Sequence, residues 1–215
     1  MKNYFKNLKI LLFLCCFTLV ASTSQAQVKF GIKAGANGSN LLGFEKFLNS
    51  TEAGRDITTD MLIGYQVGLS LDLSAGKFFI RPDLEFSDQG FAAKYKWESA
   101  DVETEKFHLY YMKLPVHIGY KHAINMDSDL RFGIGGYAAY YLTGNEAMKG
   151  YEIKKLDYGV SAMIAFDYVN TSTSIGYEYG LVDVIGADGW SAYKKANKLS
   201  DVRSGSLRIS VAYYF

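Results

Sequence analysis

Counted back from Phe215, every second residue is apolar (Tyr213, Val211, Ile209, Leu207), while Arg208, Ser210 and Ala212 fall between them. A period of two puts alternate side chains on opposite faces of a strand, so the two faces of this stretch meet different surroundings. The same alternation recurs seven times upstream and predicts strands over Val28–Asn37, Met61–Leu73, Lys77–Ser87, Phe107–Tyr120, Asp129–Leu142, Leu156–Tyr168 and Thr171–Leu181, with Leu207–Phe215 as the eighth. In the second, Ile63, Tyr65, Val67, Leu69 and Leu71 oppose Gly64, Gln66, Gly68, Ser70 and Asp72. In the fourth, Met112, Leu114, Val116 and Ile118 oppose Lys113, Pro115, His117 and Gly119.

The spacers alternate as well. Those after strands one, three, five and seven (Gly38–Asp60, Asp88–Lys106, Thr143–Lys155, Val182–Ser204) run about 12 to 23 residues, and the others are short (Ser74–Gly76, Lys121–Ser128, Val169–Asn170). Long loops at one end and tight turns at the other are the rhythm of an outer-membrane barrel. The expectation is therefore an all-β fold: an eight-stranded antiparallel up-and-down transmembrane β-barrel of OmpA-like architecture. Its long loops would face outside, and both termini would be periplasmic. A soluble lipocalin-type barrel would alternate too. Three features favour the membrane. Aromatics fall in two belts, with Phe30, Phe78, Tyr120, Phe132, Tyr168, Tyr213 and Phe215 at one end and Tyr65, Phe86, Tyr110, Tyr140, Tyr158 and Tyr179 at the other. The polar face is rich in Gly, which suits a narrow lumen. The chain also stops on Phe, with no helix after the last strand.

The N-terminus changes the compartment. Lys2, Lys6 and Lys9 precede the apolar run Ile10 to Val20, and Ser24-Gln25-Ala26 supplies small residues, the three-part pattern of a secretory signal. The run is about eleven residues, whereas a spanning helix needs about twenty. Residues 1–26 are read as a cleaved signal peptide and 27–215 as the barrel domain. Both cysteines, Cys15 and Cys16, lie in the leader, and Leu14 before Cys15 does not fit a lipoprotein signal. The mature chain then holds no disulfide, zinc-thiolate site or cysteine nucleophile. Without the three leader lysines, the 23 basic residues fall to 20 against 22 acidic ones, about −2. With no basic block or aromatic-basic interleaving, nucleic acid is not an expected partner.

Several stretches carry a family resemblance: Phe30-Gly31-Ile32-Lys33-Ala34-Gly35-Ala36-Asn37-Gly38-Ser39-Asn40-Leu41, Ile80-Arg81-Pro82-Asp83-Leu84-Glu85-Phe86-Ser87, Tyr111-Met112-Lys113-Leu114-Pro115-Val116, Phe132-Gly133-Ile134-Gly135-Gly136-Tyr137 and Asp157-Tyr158-Gly159-Val160. On these the chain resembles the PorT-like outer-membrane β-barrel family, across the whole mature sequence. The resemblance implies an eight-stranded barrel in the bacterial outer membrane. The secretion role of the family's namesake does not carry over with it.

Candidate chemistry is sparse. The inward set includes Lys29, Lys33, Arg81, Lys113, Arg131 and Arg208 beside Asp83, Glu85, Asp157, Asp167 and Glu178, with His117 among them. In a lumen too narrow for bulk water these charges should pair into a polar plug, because unpaired buried charge is costly. The alternative is a narrow conductance for protons, ions or small solutes. The histidines show no metal-ligand spacing, and no cofactor is expected. A lipid-modifying enzyme could be assembled from His108 and a rim serine, Ser87 or Ser99, but no nucleophile motif supports it. The Gly133-Ile134-Gly135-Gly136 run lies inside a strand and reads as close packing rather than phosphate binding. Trp97, Trp190 and Tyr193 are loop candidates for contact with a protein partner, or for packing and headgroup contact. By resemblance to outer-membrane proteins, Tyr213 and Phe215 are the signal read by the barrel-assembly machinery. The reading is a non-enzymatic barrel with a structural or protein-interaction role, embedded in outer-membrane lipid.

Overall fold

The computed structural model describes residues 27–44, 56–96, 103–148, 152–185 and 201–215. The expected signal peptide, residues 1–26, lies outside them. Eight strands follow in order: β1 (Gln27–Leu42), β2 (Asp56–Ala75), β3 (Phe78–Lys96), β4 (Glu103–Ala123), β5 (Ser128–Gly144), β6 (Leu156–Tyr168), β7 (Thr171–Gly180) and β8 (Arg203–Tyr214). Each pairs antiparallel with its neighbour in sequence, and β1 pairs with β8 from Gly31↔Tyr214 to Leu42↔Arg203, so the sheet closes into a barrel with no free edge. One 3₁₀ turn, Glu146–Met148, follows β5.

Along the part that alternates cleanly, the apolar residues point out and remain exposed. Ile32, Leu69, Leu114, Ile134, Ile164 and Ile209 all lie on this outer wall. In water such a surface would be an aggregation hazard; in a bilayer it is the lipid contact.

Several strands run well past the predicted ends, and much of the expected spacers Gly38–Asp60 and Asp88–Lys106 is strand. A tilted strand crosses the hydrocarbon in about 9–11 residues, so the 21-residue β4 extends far beyond it. Beyond the belt that holds Tyr65, Phe86 and Tyr110 the polarity of the two faces inverts. The inward side of β4 changes from His117 and Lys113 to Tyr111, Leu109 and Phe107, all buried, while its outward side changes from Leu114 and Met112 to His108 and Lys106.

The inverted section encloses an apolar core. Phe91 stacks on Phe107 at 4.6 Å and meets Phe44 at 4.6 Å, with Ile57, Leu109, Met148, Val184 and Val202 packed around them. Burying side chains of this size contributes about 1.5–3 kcal/mol each. The connections at this end are stitched over the core by the Ile153↔Ile185 bridge and by backbone bonds from Lys154 N–H to the Val184 carbonyl (2.8 Å) and from Val184 N–H to the Val202 carbonyl (2.9 Å). At the other end the turns are tight. Gly76 has φ +58° between β2 and β3, and Val169 has φ +54° between β6 and β7.

Candidate functional site

The lumen beneath the apolar core is packed with charge in two layers. Nearest the tight turns, Asp72 accepts from Arg81 (2.8 Å) and from Arg131 Nη1, while Asp167 lies 3.3 Å from Arg81 and 2.6 Å from Arg131. Ser74 donates to Asp72 at 2.5 Å, and Arg81 donates to Ser172 at 3.1 Å. Aromatics close this layer: the Phe79 ring lies 5.6 Å from the Arg81 guanidinium and 5.2 Å from that of Arg131, with Tyr214 5.4 Å from Arg81. Stacking an aromatic on guanidinium lets a buried cation keep an attractive partner where no oxygen reaches it.

The second layer holds three cations and three acids. Lys33 donates to Asp83 (2.6 Å) and Glu85 (2.7 Å). Arg208 Nη2 meets both oxygens of Glu85 at 2.8 Å, and its Nη1 bonds Glu178, which also accepts from Lys113. Strict alternation places these groups, since each strand delivers one inward side chain every second residue and the register sets depth. The layers are linked: Ser70 donates to Asp83 at 2.6 Å and bonds the Tyr214 hydroxyl at 2.9 Å. Each layer is neutral by formal charge, which is how so many ions are held at a few per cent exposure.

The remaining candidates are placed differently. His117 is buried, and its Nε2 lies 2.8 Å from Ser161 Oγ. A cavity of about 10 Å³ beside it, lined also by Lys33, Arg208 and Ser210, has room for about one water. Asp157 stands above the charged layers and is held by hydroxyls, accepting from Tyr137 (3.1 Å) and Ser204 (2.7 Å). Lys29 is half-buried at the mouth, opposite Asp72 in register, and joins neither layer. Sequence reasoning left out Asp72, the acceptor shared by two arginines, although alternation already placed it on the inward face. Trp97, Trp190 and Tyr193 lie outside the described residues. Tyr213 and Phe215 point outward with rings edge to face at 5.4 Å, and Phe215 N–H donates to the Phe30 carbonyl at 2.8 Å.

The rim pairing of His108 with Ser87 is not assembled. His108 faces out, its Nδ1 3.0 Å and 3.1 Å from the two oxygens of Asp88, while Ser87 faces the lumen against Asn37, and Ser99 lies outside the described residues. Among the described residues, no group of three or more His, Asp or Glu could hold a metal ion.

A closed eight-stranded barrel, belted with lipid-facing aromatics and filled with paired charge, is an integral outer-membrane barrel. The chain belongs to the family described as outer membrane protein beta-barrel domain, whose model matches residues 21–186, and its place is the bacterial outer membrane. No curated protein matches its sequence. Among solved structures it is similar to neisserial surface protein A (15% identity, 88% of this chain and 99% of that one, TM-score 0.44). It is also similar to the attachment invasion locus protein Ail of Yersinia pestis in complex with the heparin analogue sucrose octasulfate (14%, 88% and 99%, TM-score 0.36) and to the NanC porin (12%, 86% and 98%, TM-score 0.27).

Proposed function

We propose that this protein is a non-enzymatic scaffold of the outer membrane: a rigid, non-conducting barrel that holds its long connections outside the cell for a protein partner. The observation that carries this reading is the filled lumen. Two neutral layers of ion pairs are capped by an apolar core, which leaves no role for the interior except to stiffen the wall. A conducting path would need mobile charges or continuous water, whereas the second layer is locked by paired, buried side chains. In this reading the signal peptide is removed after Ala26, both termini are periplasmic, and the PorT-like resemblance marks the branch of the family to which the chain belongs.

Reconstituted into planar bilayers, the purified barrel is expected to give no reproducible single-channel steps; steps at neutral pH would overturn the plug. Capture from intact outer membranes is expected to recover a partner that is lost when the β7–β8 connection is shortened and the barrel stays folded. Unchanged recovery would remove the interaction role from that connection.

A further inference from the structure

On the outer wall of β2, β3 and β4, Tyr65, Phe86 and Tyr110 form a ladder of rings at centroid spacings of 6.2 Å and 5.9 Å. The His108 ring continues it, 6.4 Å from Tyr110 and 18° from parallel. Above the ladder the outward face turns polar, with His108 and then Lys106, which is exposed. Asp88 is unexpected here: it lies opposite Tyr110 on the outward side of β3, yet is only 4% exposed. Placing a carboxylate against a membrane-facing wall is costly unless it is paired, and its partner is His108.

The imidazole is fixed from three sides. Gly90, directly opposite His108, presents no side chain, so the ring leans across to Asp88; a Cβ there would lie 1.8 Å from the Phe107 carbonyl oxygen. Asn145 clamps the backbone where β5 ends, accepting from His108 N–H (3.2 Å), donating its own N–H to the His108 carbonyl (3.1 Å) and its Nδ2 to the Lys106 carbonyl (2.7 Å). With Nδ1 bound to Asp88, Nε2 is the nitrogen left for a further partner. No structural partner of Nε2 is present among the described residues, and the side chain is 26% exposed. The sheet thus holds an imidazole and an ammonium two residues apart on one face, immediately above an aromatic belt.

We propose that Lys106 and His108 form a binding site for the phosphate of a glycolipid in the outer leaflet. The ammonium would donate to the phosphate, as would Nε2–H of the imidazolium, the form that keeps Nδ1–H on Asp88, and the acyl chains would run down the wall past Tyr110 and Met112. Asp88 and Asn145 are positioning residues. A soluble anion would have no use for the ring ladder beneath, whereas an amphiphile uses both. The leaflet assignment rests on the orientation proposed above.

The test is native mass spectrometry of the folded, detergent-solubilised barrel titrated with bisphosphorylated lipid A, dephosphorylated lipid A and phosphatidylglycerol. Lys106→Gln and His108→Gln are the variants, and Lys121→Gln at the opposite rim is the control, each checked for heat-modifiable mobility. Lipid A is expected to bind with affinity lowered about tenfold in Lys106→Gln, the loss due to one charge-assisted contact, and unchanged in Lys121→Gln. Equal retention by the wild type and Lys106→Gln, or of the phosphorylated and dephosphorylated lipids, would overturn the site. Preference for phosphatidylglycerol would overturn the choice of glycolipid. Orientation is read separately, by labelling Glu146→Cys on intact cells with a membrane-impermeant maleimide. Labelling only after permeabilisation would overturn the orientation while leaving the lipid preference measured in vitro intact.

Discussion

Asp72 and Asp157 are both buried lumen aspartates, at 2% and 4% exposure, yet their partners differ in kind. Asp72 takes Arg81 and Arg131 together, so neutralising it leaves two guanidiniums sharing Asp167 in a site nearly closed to water. Asp157 takes the hydroxyls of Tyr137 and Ser204, both on one oxygen, with Lys113 acting on it through space rather than by a direct bond; those hydroxyls serve an amide oxygen as well as a carboxylate. Asp72→Asn is therefore expected to destabilise the barrel by about 3–5 kcal/mol, the cost of breaking a buried pair. Asp157→Asn should cost no more than about 1 kcal/mol, the scale of one neutral hydrogen bond. Urea unfolding from lipid vesicles checks both, and equal losses would mean that Asp157 carries charge-pairing work absent from its visible contacts. The inward position of Asp72 was legible from alternation alone. Its role was not, because its partner Arg131 lies 59 positions away and only barrel closure brings them together.

At the scale of the strand, β6 and β7 match the predicted spans to within a residue, because both faces keep one polarity along their length. The ends of β1 to β4 were missed where that polarity reverses. On β4 the inward face turns apolar from Tyr111, and the predicted span stops at Phe107 although the pleat itself continues to Glu103. The reversal follows from solvent: inside the bilayer the wall must be apolar outside, and above it the wall must be apolar inside, as in a water-soluble barrel. The β6–β7 hairpin shows where the local sequence opposes its backbone. Val169 is the first residue of a two-residue turn closed by Tyr168↔Thr171, and its φ of +54° is one that glycine favours and a β-branched residue resists. The left-handed region costs an L-residue about 1–2 kcal/mol, and Val169 is exposed and packs little in return. Val169→Gly is expected to raise the urea midpoint, with a gain of about 1 kcal/mol after the added chain entropy of glycine. A lower midpoint would show that the valine side chain contributes more than the strained backbone costs.

For the whole molecule, the seam between β1 and β8 carries the largest loop-closure cost, because it joins the two ends of the barrel. Until it forms, two full strand edges stand open. Phe215 sits at the foot of that seam, outside the final strand: its N–H reaches the Phe30 carbonyl at 2.8 Å, its ring meets Tyr213, and the residue is 71% exposed. A residue so exposed adds little packing to the finished barrel, so its main effect should fall on assembly, where an accessible aromatic can be recognised before closure. Deleting Phe215 is accordingly expected to remove most of the heat-modifiable, membrane-inserted form in cells. The same truncated chain, refolded from urea into lipid, should reach nearly the stability of the full chain. Normal insertion in cells would sink the recognition role. A large loss of stability in the refolded protein would move the effect of Phe215 from assembly to the seam itself.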